Sequence, residues 1–316
     1  MPQKTVYLVG FGSQGSAWAQ CLRRSGWSVQ VYLGRREYSF KKAQELEFAT
    51  HLLAELPLHL NQLNNDEENT EPAWIAMLCP DTEIAPIYME YLAPVERKLR
   101  LILAHGFSVF TGELTFQKSQ HQASLLAPKA IGPKILENFE KHYPSPHTLC
   151  AAFCPSSPED SNFLKSIARG LGFEEKSLIP ASFDQETLGD LMSEQGLLCG
   201  GVFNLLEWTM EAMIAAGIPE ALIREECLTE LELVAGILRE RGPASAFKMI
   251  SQAAQCGTVA MTKRFENSEF KKEFKAQMAS IQNHEFSRFF HSQEWRTQAK
   301  ELTERLASYE EKLKKS

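Results

Sequence analysis

The sequence predicts an α/β domain followed by an all-helical domain. Three observations predict it. A glycine-rich turn, Gly10 to Gly15, stands between a short apolar strand and a helix. Apolar strand-like runs then recur as far as Ala127. From about Gln185 strand signals vanish and long amphipathic helical stretches replace them. The boundary is placed near Pro180 to Phe183, giving domains of residues 1–182 and 183–316. A length of 316 residues also suggests about two domains.

The elements follow in order. Val6 to Val9 reads as a buried parallel strand, Ser16 to Ser25 as a helix ended by Gly26, and Val29 to Leu33 as the second strand. Ala73 to Leu78, Leu101 to Leu103 and Leu125 to Ala127 are further buried strands. Asn61 to Glu71 is polar and acidic and reads as a surface loop. The segment around Ser145, Pro155 and Pro158 reads as loop-rich. Helices are expected over Thr187–Leu198, Phe203–Ala216, Pro219–Arg241 and Phe270–Gln282, with a charged, leucine-bearing helix over Trp295–Lys314.

Composition narrows the class. With 44% hydrophobic and 23% charged residues the chain has an ordinary globular balance. The net charge of −7 argues against nucleic acid and anionic membranes as partners. It leaves an anionic substrate open, because a bound metal can invert the local field. Seven cysteines, an odd number, form neither a CxxC motif nor a zinc set, so they read as reduced thiols of a cytoplasmic protein. The start of the chain lacks a signal-peptide pattern, and no unbroken apolar run approaches the ~18 residues that span a bilayer.

The cofactor end is GxGxxG: Gly10, Phe11, Gly12, Ser13, Gln14 and Gly15. The first glycine permits the tight turn, the second lets the backbone approach a pyrophosphate, and the third lets helix and strand pack. The helix N-terminus then offers amides and partial positive charge to the phosphates. This is a Rossmann-type dinucleotide site; the alternative is a merely tight turn. After the second strand come Arg35, Arg36 and Ser39, a set that suits the 2′-phosphate of NADPH, although Glu37 weighs towards NADH. The alternative leaves both arginines as solvated loop charges. Asp81, after the next strand, is expected to line the cofactor cleft.

The reacting end has weaker and stronger signals. His105 and Lys129 each follow a strand at the sheet edge where α/β folds place ligands. Either residue can equally be structural. The stronger signal is two acidic pairs spaced i, i+4: Asp190 with Glu194, and Glu226 with Glu230. On a helix that spacing puts like charges on one face, where they repel. Both pairs adjoin apolar or small residues, such as Gly196 to Gly201. A hard divalent cation, Mg²⁺, offsets the repulsion, and four carboxylates suffice for two ions. The alternative is a pair of solvated acidic helix faces.

These residues together resemble the ketol-acid reductoisomerases (acetohydroxy acid isomeroreductases). The resemblance runs through GFGSQG at Gly10–Gly15, AHGF at Ala104–Phe107, APK at Ala127–Lys129, DLxxEQxxLCGG at Asp190–Gly201 and ECLxEL at Glu226–Leu231. It is similar to the short form with a single knotted helical domain. The chain departs from the pattern at Ser16, at Gly34, at Glu37 and at Ala130-Ile131, and its SNTAEYG-like segment is reduced to Ser251–Gly257. It looks like a diverged member.

The resemblance implies an NADPH- and Mg²⁺-dependent conversion of 2-acetolactate, or 2-aceto-2-hydroxybutyrate, to the 2,3-dihydroxy acid in branched-chain amino-acid synthesis. By the same resemblance, two Mg²⁺ ions would lie on Asp190, Glu194, Glu226 and Glu230. Glu230 would also relay protons, Ser251 would bind substrate, His105 and Lys129 would act in the surrounding network, and Gly132 would belong with the cofactor residues. Helical domains of two subunits would build the site, which implies at least a homodimer. The alternatives are a reductase of another 2-keto or 2-hydroxy acid, an inactive nucleotide-binding relative, or a metal-free β-hydroxyacid-type dehydrogenase.

Overall fold

The computed structural model describes residues 4–34, 37–62, 71–140, 149–266 and 268–315, without the side chains of 37 and 308–315. Arg35 and Arg36 therefore lie outside the described residues, as does most of the loop expected over Asn61 to Glu71. The chain separates into two compact units, Met1–Thr187 and Leu188–Ser316. The division falls inside the helix Phe183–Met192.

The first unit is one eight-stranded sheet. Its strands are β1 (Thr5–Val9), β2 (Ser28–Leu33), β3 (Ala49–Leu52), β4 (Ala73–Met77), β5 (Leu99–Leu103), β6 (His121–Pro128), β7 (Ala151–Cys154) and β8 (Leu178–Pro180). The spatial order is β3-β2-β1-β4-β5-β6-β7-β8. All neighbours are parallel except β6 and β7, which run antiparallel with Leu125 opposite Cys154. The order reverses direction at β1 and β4, and ligands of doubly wound sheets bind at such a switch point.

Both faces of the sheet are covered. Val6 and Leu8 of β1 join one core with Trp18 and Leu22, whereas Tyr7 and Val9 join another with Leu56, Tyr88 and Leu92. Alternate residues of one strand thus serve opposite cores. That is why β1, β4 and β5 read as continuous apolar runs rather than alternating ones.

Five of the eight strands coincide with the sequence expectations. The other three, β3, β7 and β8, were not expected. ATHL of β3 is half polar and pairs on one side only. LIP of β8 is three residues long, ends in proline and forms the opposite edge. AAFC of β7 lies in the segment read as loop-rich.

The second unit is helical. The helix that begins in the first unit runs unbroken over Phe183–Ala215, where two separate helices were expected. It contains a ten-residue π-helical stretch, Ser193–Val202. Helical chain resumes at Glu220–Arg224, passes through a second π-helical turn at Glu225–Thr229 and continues to Arg241. Pro243–Met249, Gln252–Glu266, Phe270–Gln282, Glu285–His291 and Glu294–Lys315 follow. The helix Phe183–Ala215 is also long and apolar enough, by length and composition, to cross a bilayer, with a window of mean hydropathy 1.2. Glu194 and Gln195 interrupt the run in sequence and hide it from a reading that looks for unbroken stretches. One such helix is weak evidence of a membrane span.

Candidate active site

The glycine-rich turn shapes a cavity of about 350 Å³ over the switch point, lined among others by Gly10, Phe11, Gly12, Tyr32, Ser39 and Pro80. Each glycine has a distinct reason. Gly10 adopts φ +102, and a Cβ there would lie 2.5 Å from the Leu78 carbonyl oxygen. A Cβ on Gly15 would lie 2.5 Å from the Gly10 carbonyl oxygen. Gly12 faces open space, and it precedes the helix Ser13–Arg24, whose first turn carries no side-chain cap. Those amides remain available to an anion. Gln14 Oε1, in the first turn of that helix, is buried without a hydrogen-bond partner, although Gln14 does not line the cavity. An open cradle at Gly12 and uncapped amides at the helix start fit the phosphates of a dinucleotide.

The remaining cofactor candidates divide. Ser39 lines the cavity. Phe11 lines it too, but its ring is buried edge-on against Phe48. Gly132 opens the helix Gly132–Glu140 and packs on the glycine-rich turn, because a Cβ there would collide with the Ser13 carbonyl. Pro80 lines the cavity, whereas the Asp81 carboxylate is directed at His105, with Oδ2 to Nδ1 at 3.4 Å. At that length the contact orients the ring without a strong hydrogen bond.

The loops after β5 and β6 meet at a residue that sequence reasoning missed. Glu186 is buried, with 1% of its side chain exposed. One carboxylate oxygen accepts from the Gly106 N–H at 2.7 Å, and the other accepts from Lys129 Nζ at 2.6 Å. A buried carboxylate needs such partners, and a charge-assisted pair plus a backbone amide fills the need. The amide of Lys129 is itself held at 2.8 Å by the carbonyl of Cys150, the residue before β7. Gly106 has no room for a side chain: a Cβ would lie 2.5 Å from Thr187 Oγ1 and 2.6 Å from the Phe183 carbonyl. The HG and PK pairs of the two loops are therefore tied to one acid. A signal for it existed in sequence: Glu186, Asp190 and Glu194 are spaced i, i+4, i+8.

In the helical unit Asp190 is half-buried, and Glu194, Glu226 and Glu230 are exposed. Each expected pair straddles a change of helix type. Asp190 is α-helical and Glu194 lies in the first π stretch; Glu226 lies in the second π turn and Glu230 opens the α-helix after it. Local π geometry is concentrated at functional sites. The donor set, all carboxylate oxygen, fits Mg²⁺. Among the described residues, no three of these four carboxylates come within 4.8 Å of one another. Ser251 is exposed, and its hydroxyl accepts from the Ala254 N–H at 3.2 Å, an N-cap for the helix Gln252–Glu266.

The seven cysteines are all free. Burial pushes the Cys79 thiol, beside the cofactor cavity, up to about 12, so it is an inert thiol.

Comparison with known proteins assigns both halves. Residues 1–176 match the family model described as acetohydroxy acid isomeroreductase, NADPH-binding domain, and residues 183–315 match that of ketol-acid reductoisomerase, C-terminal domain. The chain belongs to the ketol-acid reductoisomerase family. The fold is similar to that of an NADH-preferring ketol-acid reductoisomerase from an uncultured archean, with TM-score 0.79, 23% identity, and coverage of 98% of this chain and 91% of that one. It is also similar to a semialdehyde dehydrogenase NAD-binding protein from Cupriavidus necator, with TM-score 0.64, 16% identity, and coverage of 89% and 99%. A 1-pyrroline-5-carboxylate reductase from Streptococcus pyogenes gives TM-score 0.58, 13% identity, and coverage of 88% and 98%. At these identities the structures show the fold. The family makes the chain an NAD(P)-dependent isomeroreductase with a nicotinamide cofactor.

Proposed function

We propose that the chain is a Mg²⁺- and NADPH-dependent ketol-acid reductoisomerase that converts 2-acetolactate or 2-aceto-2-hydroxybutyrate to the 2,3-dihydroxy acid. The observation that carries this reading is the retention of both carboxylate pairs, each at an α-to-π junction. Bound Mg²⁺ would supply Lewis-acid polarisation of two adjacent substrate oxygens, and NADPH the hydride. Asp190, Glu194, Glu226 and Glu230 would hold the two ions.

The chain's own residues do the rest. Lys129, its ammonium held by Glu186, would belong to the network around the substrate. His105, oriented by Asp81, stands ready to hold or pass a proton at its ring nitrogens. Glu230 would take the proton from the substrate hydroxyl and return it to the oxygen of the neighbouring carbon as that oxygen becomes a hydroxyl, and Ser251, whose hydroxyl accepts from the Ala254 N–H, would donate to the substrate. Arg35 and Arg36 would meet the 2′-phosphate. A cytoplasmic homodimer completes the reading. Its support is the exposed apolar residues of the helical unit, among them Leu197, Phe203, Trp208, Leu233 and Met249. A second reading, reduction of another 2-keto acid, is favoured by Ala130 and the exposed Ile131 in the loop after Lys129.

The deciding assay is NADPH oxidation with 2-acetolactate, with and without Mg²⁺, on the wild type and Glu226→Gln. The expected result is Mg²⁺-dependent turnover that Glu226→Gln reduces at least about 100-fold. Turnover of a simple 2-keto acid but not of 2-acetolactate would favour the second reading. Mg²⁺-independent turnover would overturn the metal assignment.

A further inference from the structure

The C-terminal helix Glu294–Lys315 touches the helix Phe183–Ala215 through Arg305. Its Nη2 donates to Glu207 Oε2 at 2.9 Å and to Asn204 Oδ1 at 3.3 Å. Glu207 is buried, with 7% of its side chain exposed, whereas Arg305 is half exposed. Asn204 is more than a bystander. With its oxygen turned to Arg305, its Nδ2 donates to the Gly200 carbonyl at 2.6 Å.

Gly200 sits in the π-helical stretch that carries Glu194. In a π turn the amide of residue i bonds the carbonyl of i−5, which for Gly200 is that of Gln195. The close approach is visible: a Cβ on Gly200 would collide with the Gln195 carbonyl, and a Cβ on Gly201 would lie 2.5 Å from that of Gly196. The Gln195 side chain is gripped separately, by Gln277 of the helix Phe270–Gln282. The π turn beginning beside Glu194 is thus tied at both ends by side chains, and Arg305 orients one of the two ties.

We propose that Arg305 is a positioning residue for Glu194. It holds the Asn204 amide in the one orientation that can donate to Gly200, and so fixes the phase of the π turn from which Glu194 projects. The proposal rests on the reading of Glu194 as a metal ligand. It gives the charged C-terminal helix a task at the metal site, although that helix contributes no ligand.

The test uses the full chain without nucleotide and Mn²⁺ as the probe, with free Mn²⁺ read by electron paramagnetic resonance. Arg305→Ala should raise the Mn²⁺ dissociation constant about tenfold, the lower end of what a lost supporting contact costs a metal site. That variant also strands the buried Glu207 charge and can lose stability for that reason alone. The double variant Arg305→Ala/Glu207→Gln removes the stranded charge. It should recover the wild-type Tm yet keep the weakened Mn²⁺ binding, with NADPH affinity unchanged. Wild-type Mn²⁺ affinity in the double variant would overturn the proposal and reduce Arg305 to a counter-charge for Glu207. A wild type that binds NADPH but no Mn²⁺ would overturn the metal reading, and this proposal with it.

Discussion

The two units of the chain handle their apolar residues in opposite ways. In Met1–Thr187, β1, β4 and β5 are closed on both faces, and Leu8, Ile75, Leu99 and Leu101 have no exposed surface. In Leu188–Ser316 the buried cluster among the described residues is small, with Met210, Ile223 and Cys227 at its centre. Leu197, Phe203, Trp208, Leu233, Met249 and Phe270 of that unit are exposed by 43% or more of their surface. A sheet sandwiched by helices completes its own core. Helices that leave leucines and aromatics in water are built to bury them against something else. The first unit is therefore read as self-sufficient, and the second as one part of a larger assembly.

The hardest test of that contrast is a charge on the open face. Leu233 is 56% exposed on the helix Glu230–Arg241, which also carries Glu230. If the proposed homodimer forms through this face, Leu233→Glu should convert it to monomer in sedimentation and cut turnover at least about 100-fold, since burying a carboxylate in an apolar interface costs several kcal/mol. Nicotinamide-cofactor binding, which the family match assigns to residues 1–176, should persist. A monomeric wild type, or a Leu233→Glu dimer with full turnover, would break the comparison.

A truncation in the closed core is the counterpart. Leu101→Ala empties a site with no exposed surface and should cost about 2–5 kcal/mol, read from denaturant unfolding. The cost should not depend on protein concentration. Leu233→Ala should behave oppositely: its effect on Tm should shrink on dilution, as expected when stability is linked to assembly. Concentration-independent losses of equal size at both positions would show that the helical unit also completes its own core.

The same contrast explains what could be read from sequence. Strands buried on both faces announce themselves as apolar runs, so β1, β2, β4, β5 and β6 were legible, and the glycines of the turn disclosed the cofactor cavity. Edges do not announce themselves: β3 is partly polar, and β8 is three residues ending in proline. In the helical unit the pattern gave the longer apolar helices but not Pro243–Met249, Gln252–Glu266 or Glu285–His291, and not the π-helical stretches. An extra residue per turn leaves no signature in apolar spacing, and only Gly200 and Gly201 hint at it. Glu186 was missed because its role is set by two loops distant in sequence, those of Gly106 and Lys129. Ser251 was legible as a polar residue of a known pattern, yet the bond that it makes is a helix cap.

The smallest expected effect lies wholly inside the self-sufficient unit and sharpens the comparison from that side. His121, at the start of β6, is buried. Its Nε2 donates towards the carbonyls of Val95 and Arg97, both at 3.1 Å, and its Nδ1 accepts from Tyr88 Oη at 3.1 Å. Burial holds its pKa below the ordinary 6.5, only partly offset by the two carbonyls, so the folded ring stays neutral where the unfolded one is already charged. Below about pH 6.5 the unfolded chain therefore binds the extra proton. The stability contributed by neutral His121 is complete above that pH and is lost as the pH falls towards the depressed folded value. His121→Gln should be less stable at pH 7, because Gln loses the edge-to-face ring contact with Tyr88, but should lose less stability between pH 7 and pH 5. Unfolding midpoints measured across that range should converge. Parallel profiles would mean that His121 does not titrate with folding, and that the acid response of this unit belongs to other groups.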